Sequence, residues 1–185
     1  PWAGGKRKIA PAIIEELGEY DTLVDVFVGG YSWELQAEKA AHEFLNDANP
    51  FLVNVLRCLR DYRTKLAEWL DATPFDRGEF ELAASWVSDL KRLPSELGDC
   101  IELAASQLVV WWMGPNGLAG TTTKPWFATR HTKTGGSPET RWNSFRSSIP
   151  AISERLQGSE ITNLDFRVLI GNRRFDSIGT AIYCD

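Results

Sequence analysis

The sequence predicts an α/β fold built on a doubly wound parallel sheet. Three observations predict it: short apolar runs alternate with stretches of helical periodicity, one run is delivered straight into a glycine pair, and a carboxylate closes the next run. With 185 residues, 43% of them hydrophobic and 24% charged, the chain is long enough to bury a core without disulfide or metal, and one domain over residues 1–185 is expected. The longest apolar run, Leu108 to Met113, falls far short of the roughly 20 residues that cross a bilayer, so no membrane partner is expected. Cys58, Cys100 and Cys184 are too widely spaced for a disulfide framework or a paired metal site, which predicts a reducing cytoplasm and no metal. The chain opens on Pro1 rather than methionine, so its natural start is expected upstream.

Along the chain, Pro11 to Leu17 followed by Gly18 predicts a short helix with proline in its first turn and glycine after its end. Leu23 to Val28, apolar except for Asp25, predicts a buried parallel strand that enters a tight turn at Gly29-Gly30. His42 to Asp47 predicts a second, weaker strand. Asn49-Pro50 then opens an amphipathic helix through about Leu70, with Leu52, Val55, Leu56, Leu59, Leu66 and Trp69 at helical spacing. Two more helices, about Glu79 to Leu93 and Leu97 to Met113, make residues 71–113 a helical insertion between sheet strands. From Gly114 to Pro138 the Gly, Thr, Pro, Lys and Arg content marks a long irregular loop. A helix over Glu139 to Leu156, a strand at Glu160 to Phe166, a short helix near Val168 to Arg174 and a strand at Thr180 to Asp185 complete the alternation.

Net charge is −5, which argues against a polyanionic partner until its distribution is considered. Between Gly114 and Leu156, Lys124, Arg130, Lys133, Arg141, Arg146 and Arg155 face only Glu139 and Glu154, a local excess of four positive charges that leaves −9 elsewhere. A basic segment on an acidic body can still meet nucleic acid. His131 reads as a phosphate or solvent contact, because no second His or Cys stands at ligand spacing.

Four short motifs carry chemistry, each with a plainer alternative. Trp2-Ala3-Gly4-Gly5-Lys6 joins a stacking face, a glycine pair that admits close approach and a cation; the alternative is a turn with a solvated lysine. Asp25-Val26-Phe27-Val28-Gly29-Gly30 delivers a strand into a glycine turn, as a nucleotide-like cofactor requires, or merely ends a strand. Asp47, 18 residues beyond Gly29, can accept both hydroxyls of a ribose, or cap a helix with Asn46 and Asn49. In Asn163-Leu164-Asp165-Phe166 the acid can accept from an adenine amino group while Phe166 packs on a ring; the alternative is a strand-end cap.

In this order and spacing the motifs resemble those of the D12-class, Dam-like DNA adenine-N6 methyltransferases, over nearly the whole chain. Trp2-Ala3-Gly4-Gly5-Lys6 is similar to the family's N-terminal cofactor motif, Phe27-Val28-Gly29-Gly30 to its first glycine motif, and Leu45 to Pro50 to its second-strand acidic motif. Ile182-Tyr183-Cys184-Asp185 resembles the lead-in to Asp-Pro-Pro-Tyr, so the chain is expected to be an N-terminal portion ending at that aspartate, its Rossmann-like S-adenosylmethionine-dependent sheet incomplete at the C-terminus.

The resemblance implies a site-specific methyl transfer from S-adenosyl-L-methionine to a flipped adenine in double-stranded DNA, without metal. It implies a cofactor site of Trp2, Lys6, Phe27, Gly29, Asp47, Asp165, Phe166 and Asp185. Asp185 would also be catalytic, accepting from the adenine amine together with a proline carbonyl. It makes residues 114–158 the target-recognition region, with Lys124, Arg130, Lys133 and Arg141 on DNA, and it admits a cognate restriction endonuclease as partner. Tyr31 departs from the pattern, standing where many members have another glycine, which predicts either a wider turn there or a different hold on the cofactor's methionine end, and leaves Gly30 and Tyr31 out of the implied direct contacts. The other readings are a non-catalytic Rossmann-like protein that binds nucleic acid or nucleoside, and a nicotinamide oxidoreductase. The second is disfavoured because Tyr31 and Glu34 break any Gly-x-Gly-x-x-Gly pattern.

Overall fold

A computed structural model of the protein describes residues 5–115, 125–129 and 136–185. Four strands, β1 (Thr22–Asp25), β2 (His42–Asn46), β3 (Glu160–Thr162) and β4 (Thr180–Tyr183), form one sheet in the order β3-β2-β1-β4. Every pairing is parallel, and Asp25 stands opposite Leu45 on one side and Tyr183 on the other. The sheet and its helices make the mixed α/β, Rossmann-like arrangement that the alternating pattern predicts.

Successive strand residues point to opposite faces, and the core divides accordingly. On one face Leu23 packs with Ala10, Trp33 and Ala40 under helix α1 (Ala10–Leu17), while Leu45 and Ile161 join the main core beneath the longer helices. On the other face Val24, Val26 and Phe44 pack on Leu169 and Phe175, which come from α7 (Phe166–Ile170) and a turn of 3-10 helix at Arg173–Phe175.

The helices begin where capping chemistry places them. Asn49 precedes α2 (Pro50–Asp61), and its carboxamide oxygen accepts from the N–H groups of Phe51 and Leu52 at 3.0 and 3.4 Å, with Pro50 at a position that needs no N–H. The amphipathic stretch expected to run unbroken to Leu70 instead divides at Tyr62, whose φ of −126° leaves the helical region, and α3 (Arg63–Ala72) follows. No proline or glycine marks this break, so periodicity reads through it. Asp76 caps α4 (Arg77–Asp89), and α5 (Leu97–Met113), buried along most of its length, packs against α2, α3, α4 and α6 (Pro138–Leu156). The helices between β2 and β3 are therefore the main core itself. The strand expected over Glu160 to Phe166 stops at Thr162, because Asp165 turns the chain into α7 by accepting from the Arg167 N–H at 2.9 Å.

At the carboxyl edge of the sheet, the 1%-exposed Asn46 holds three segments together. Its carboxamide nitrogen donates to the carbonyls of Val26 and Leu164, both at 3.1 Å, and its oxygen accepts from the Thr162 hydroxyl at 2.8 Å and the Leu164 N–H at 2.9 Å. Its own carbonyl accepts from the Val28 N–H at 2.8 Å. Replacing Asn46 by Ala removes the partner of four polar groups, of which the Val26 carbonyl is the most deeply buried, and a buried group left unsatisfied costs about 1–3 kcal/mol. Asn46→Ala is expected to lose about 2–4 kcal/mol of stability in urea denaturation, more than one isolated hydrogen bond is worth. A loss below about 1 kcal/mol would show that the clamp is dispensable.

Candidate functional site

The carboxyl edge of β1, β2 and β4 brings together residues that are distant in sequence. After β1 the chain turns through Gly29, whose φ of 52° falls in the left-handed region open to glycine, and the Gly29 N–H donates to Asp47 Oδ2 at 3.0 Å. Asp47 Oδ1 accepts from the Asn49 N–H at 2.8 Å. From the N-terminal side, the Lys6 N–H donates to Ser32 Oγ at 2.8 Å and Lys6 Nζ lies 2.6 Å from Asp185 Oδ2, just past β4. A small pocket of about 80 Å³ opens between them, lined by Lys6, Phe27, Gly29, Ser32, Trp33 and Asp185 among others. Phe27 and Phe166 are both more than a third exposed, with ring centroids 5.7 Å apart.

Of the residues singled out in the sequence, Lys6, Phe27, Gly29, Asp47, Phe166 and Asp185 thus meet along one edge. Asp47 also makes part of its capping alternative, bonding one backbone N–H on each side of the sheet's mouth. Asp165 is exposed and acts as the strand-end cap, its carboxylate also 3.7 Å from Arg167. Trp2, Lys124, Arg130 and Lys133 lie outside the described residues. Arg141 is half-buried in the first turn of α6 and does not line this pocket.

Sequence reasoning missed a layer directly behind the turn. Asp25, 1% exposed, accepts from the Phe27 N–H and from Trp33 Nε1, both at 3.1 Å. Glu34, fully buried, lies beside Asp25, with the backbone N–H groups of Trp33 and Glu34 near its carboxyl. Burial pushes both carboxyls up, and the nearness of Asp25 adds to the rise at Glu34, which therefore holds the proton and donates it towards Asp25. The signal available in the sequence was an acid inside an apolar strand with a second acid nine positions on.

Tyr31 ends the turn. The turn is not wider there: the Tyr31 N–H donates to the Val28 carbonyl at 3.1 Å and φ is 49°, so a side-chain-bearing residue keeps a glycine conformation at a cost of about 1–2 kcal/mol. Its ring is 2% exposed, and the Arg155 guanidinium stands over it, 5.8 Å from the centroid. Arg155 in turn makes a two-pronged pair with the buried Glu43 at 2.7 Å on both oxygens, and Ser159 Oγ donates to Glu43 Oε2 at 2.9 Å.

Residues 2–80 match the model of the D12 class N6 adenine-specific DNA methyltransferase family. No curated protein matches the chain. The resemblance drawn from the motifs is thereby shown over α1, the glycine turn, β2, α2 and α3, and at the level of the family it supports a DNA adenine methyltransferase. Among the described residues no group of three or more His, Cys, Asp or Glu could hold a metal ion, and no helix is long and apolar enough to cross a membrane.

The Asp25–Glu34 pair sets a pH dependence. With Glu34 raised to about 10 and Asp25 to about 6, the folded protein binds more protons than the unfolded chain above the ordinary carboxylate range. Stability contributed by the pair is therefore complete below about pH 4 and declines as pH rises towards 10, by at most about 1.4 kcal/mol per pH unit per proton. Glu34→Gln keeps the shape and an N–H for Asp25 without the titration. The variant is expected to melt higher than the parent at pH 9, with the gap closing by pH 5. Parallel melting curves across that range would exclude a buried shared proton.

Proposed function

We propose that the protein is a DNA adenine-N6 methyltransferase, with S-adenosyl-L-methionine at the carboxyl edge of the sheet and double-stranded DNA as substrate. The observation that carries the reading is the meeting of Lys6, the Gly29 turn and Asp185 around one opening, with Asp47 bonded to that turn, in a chain whose residues 2–80 match that family.

The residues suit the cofactor. Each oxygen of Asp47 already accepts one backbone N–H, and a carboxylate oxygen has a further lone pair, so both ribose hydroxyls can be accepted without breaking the turn. The exposed rings of Phe27 and Phe166 offer a face for an adenine, and Gly29 lets the backbone come close. When bound, S-adenosylmethionine supplies an electrophilic methyl group.

The chain's own task is to position the amine that attacks it. Asp185, held through one oxygen by Lys6, keeps its second oxygen for a hydrogen bond from the N6 amine of a flipped adenine. Such a bond orients the amine lone pair, so catalysis here is positioning and electrostatics. Lys124, Arg130, Lys133 and Arg141 are the proposed phosphate contacts, ahead of and at the start of α6.

Asp47→Ala is expected to weaken S-adenosylmethionine binding about 10- to 100-fold, the worth of charge-assisted bonds to two hydroxyls, in calorimetric titration of the folded variant. Unchanged affinity removes the ribose assignment. Transfer of a tritiated methyl group to adenine-containing duplex DNA by the full gene product tests the reaction itself; binding without transfer would favour a non-catalytic nucleoside-binding protein.

A further inference from the structure

We propose that Tyr31 is a positioning residue, and that its ring, latched by the Arg155–Glu43 pair, fixes the glycine turn in the form that receives the cofactor. The proposal rests on the reading of that turn as the cofactor site.

Among the described residues Tyr31 alone of the non-glycine positions has a positive φ. A side chain in that region strains the backbone, and a glycine would occupy the same conformation without strain. The strain persists only where the surroundings over-determine it. Here they do so through the ring. It is buried in the main core, beside a cavity of about 110 Å³ that Gly29, Gly30, Leu52, Leu56 and Trp111 also line. Arg155 stands over one face, and the Tyr31 hydroxyl donates to the Arg155 carbonyl at 3.5 Å. Glu43 on β2 holds Arg155 in turn, and the Ser159 hydroxyl donates to Glu43.

A line of contacts therefore runs from the end of α6, through Arg155, to the Tyr31 ring and backbone. From there it reaches Gly29, whose N–H is bonded to Asp47. Simple core filling would not require the left-handed backbone, because an apolar side chain from a relaxed position could fill the same space. The combination of strain in the turn and a charged latch on the ring is what a device for holding the turn needs. Without the ring, Gly29 and Gly30 are free to sample other conformations, and the fraction of protein ready for the cofactor falls.

The test compares Tyr31→Gly, Tyr31→Phe, Arg155→Met and, as a control for lost packing, Leu66→Ala, a fully buried residue of α3. Each is titrated with S-adenosylmethionine by calorimetry, melted and, in the full gene product, assayed for KM and kcat on duplex DNA. Tyr31→Gly is expected to raise Kd and KM for the cofactor about tenfold while kcat changes little, as a smaller competent population requires. Tyr31→Phe should stay within about twofold of the parent, since the ring and its cation contact remain, and Arg155→Met should fall between. Leu66→Ala should lower the melting temperature without moving Kd.

Parental affinity in Tyr31→Gly overturns the proposal, as does an equal loss in Leu66→Ala. Should Tyr31→Gly fail to fold, parental affinity in Arg155→Met overturns it. A parent that does not bind S-adenosylmethionine defeats the cofactor reading and this proposal together, whereas a binding parent with an unaffected Tyr31→Gly defeats this proposal alone.

Discussion

Two consecutive residues at the end of β2 hold the mouth of this fold. In a parallel sheet every strand delivers its last peptide groups to the same edge, where the next turns must satisfy them. Asn46 does this for the ends of β1 and β3 at once, donating to Val26 and Leu164, accepting from Thr162 and Leu164, and taking the Val28 N–H on its carbonyl. Asp47 then takes the Gly29 N–H. The glycine turn owes its direction to these bonds, and the pocket between Lys6 and Asp185 exists because the turn goes that way.

Behind that edge the protein buries four acidic or basic groups and neutralises them by two different means. Glu43 meets a cation: Arg155 donates to Oε2 and stands 2.7 Å from Oε1, and the Ser159 hydroxyl also donates to Oε2, so the two charges offset much of each other's desolvation. Glu34 keeps its proton, because the nearest group is another carboxyl, Asp25, which already receives two N–H donors and is the better placed to stay ionised. The first solution ties α6 to β2. The second ties the segment after the glycine turn to β1, and it is indifferent to salt but not to pH.

Much of this was legible from residues that punctuate the backbone. Pro11 and Gly18 bracket α1, Asn49-Pro50 opens α2, and the apolar run into Gly29-Gly30 announces β1 and its turn, because each of these residues changes which backbone angles or donors are available. The division at Tyr62 was hidden because nothing in Asp61-Tyr62-Arg63 forbids a helix; the end of one packed helix decides it. The early end of β3 was hidden because Asp165 serves equally as a site residue and as a cap, and only the Arg167 N–H at 2.9 Å shows the cap. Asp25 was noticed as an interruption without its partner, since nothing in the spacing to Glu34 fixes where a turn will return. Tyr31 stands where the pattern has a glycine, and burial of its ring lets the glycine conformation survive, which residue type alone does not show.

The charge count along residues 114–156 also changes meaning once its members have positions. Arg155 is committed to Glu43 and the Tyr31 ring, and Arg146 donates to the carbonyls of Leu70 and Asp71 at 3.2 Å and to Asn143 at 2.7 Å, with a cation contact to Trp142. These two charges hold α6 against α3 and the sheet, and moving Arg155 to a phosphate would leave the buried Glu43 without its cation. A phosphate-binding role for the segment therefore rests on the residues ahead of that helix, Lys124, Arg130 and Lys133. The same commitment makes α6 a rigid support. Its far end brings Arg155 over the Tyr31 ring, and its near end follows the segment proposed to meet DNA.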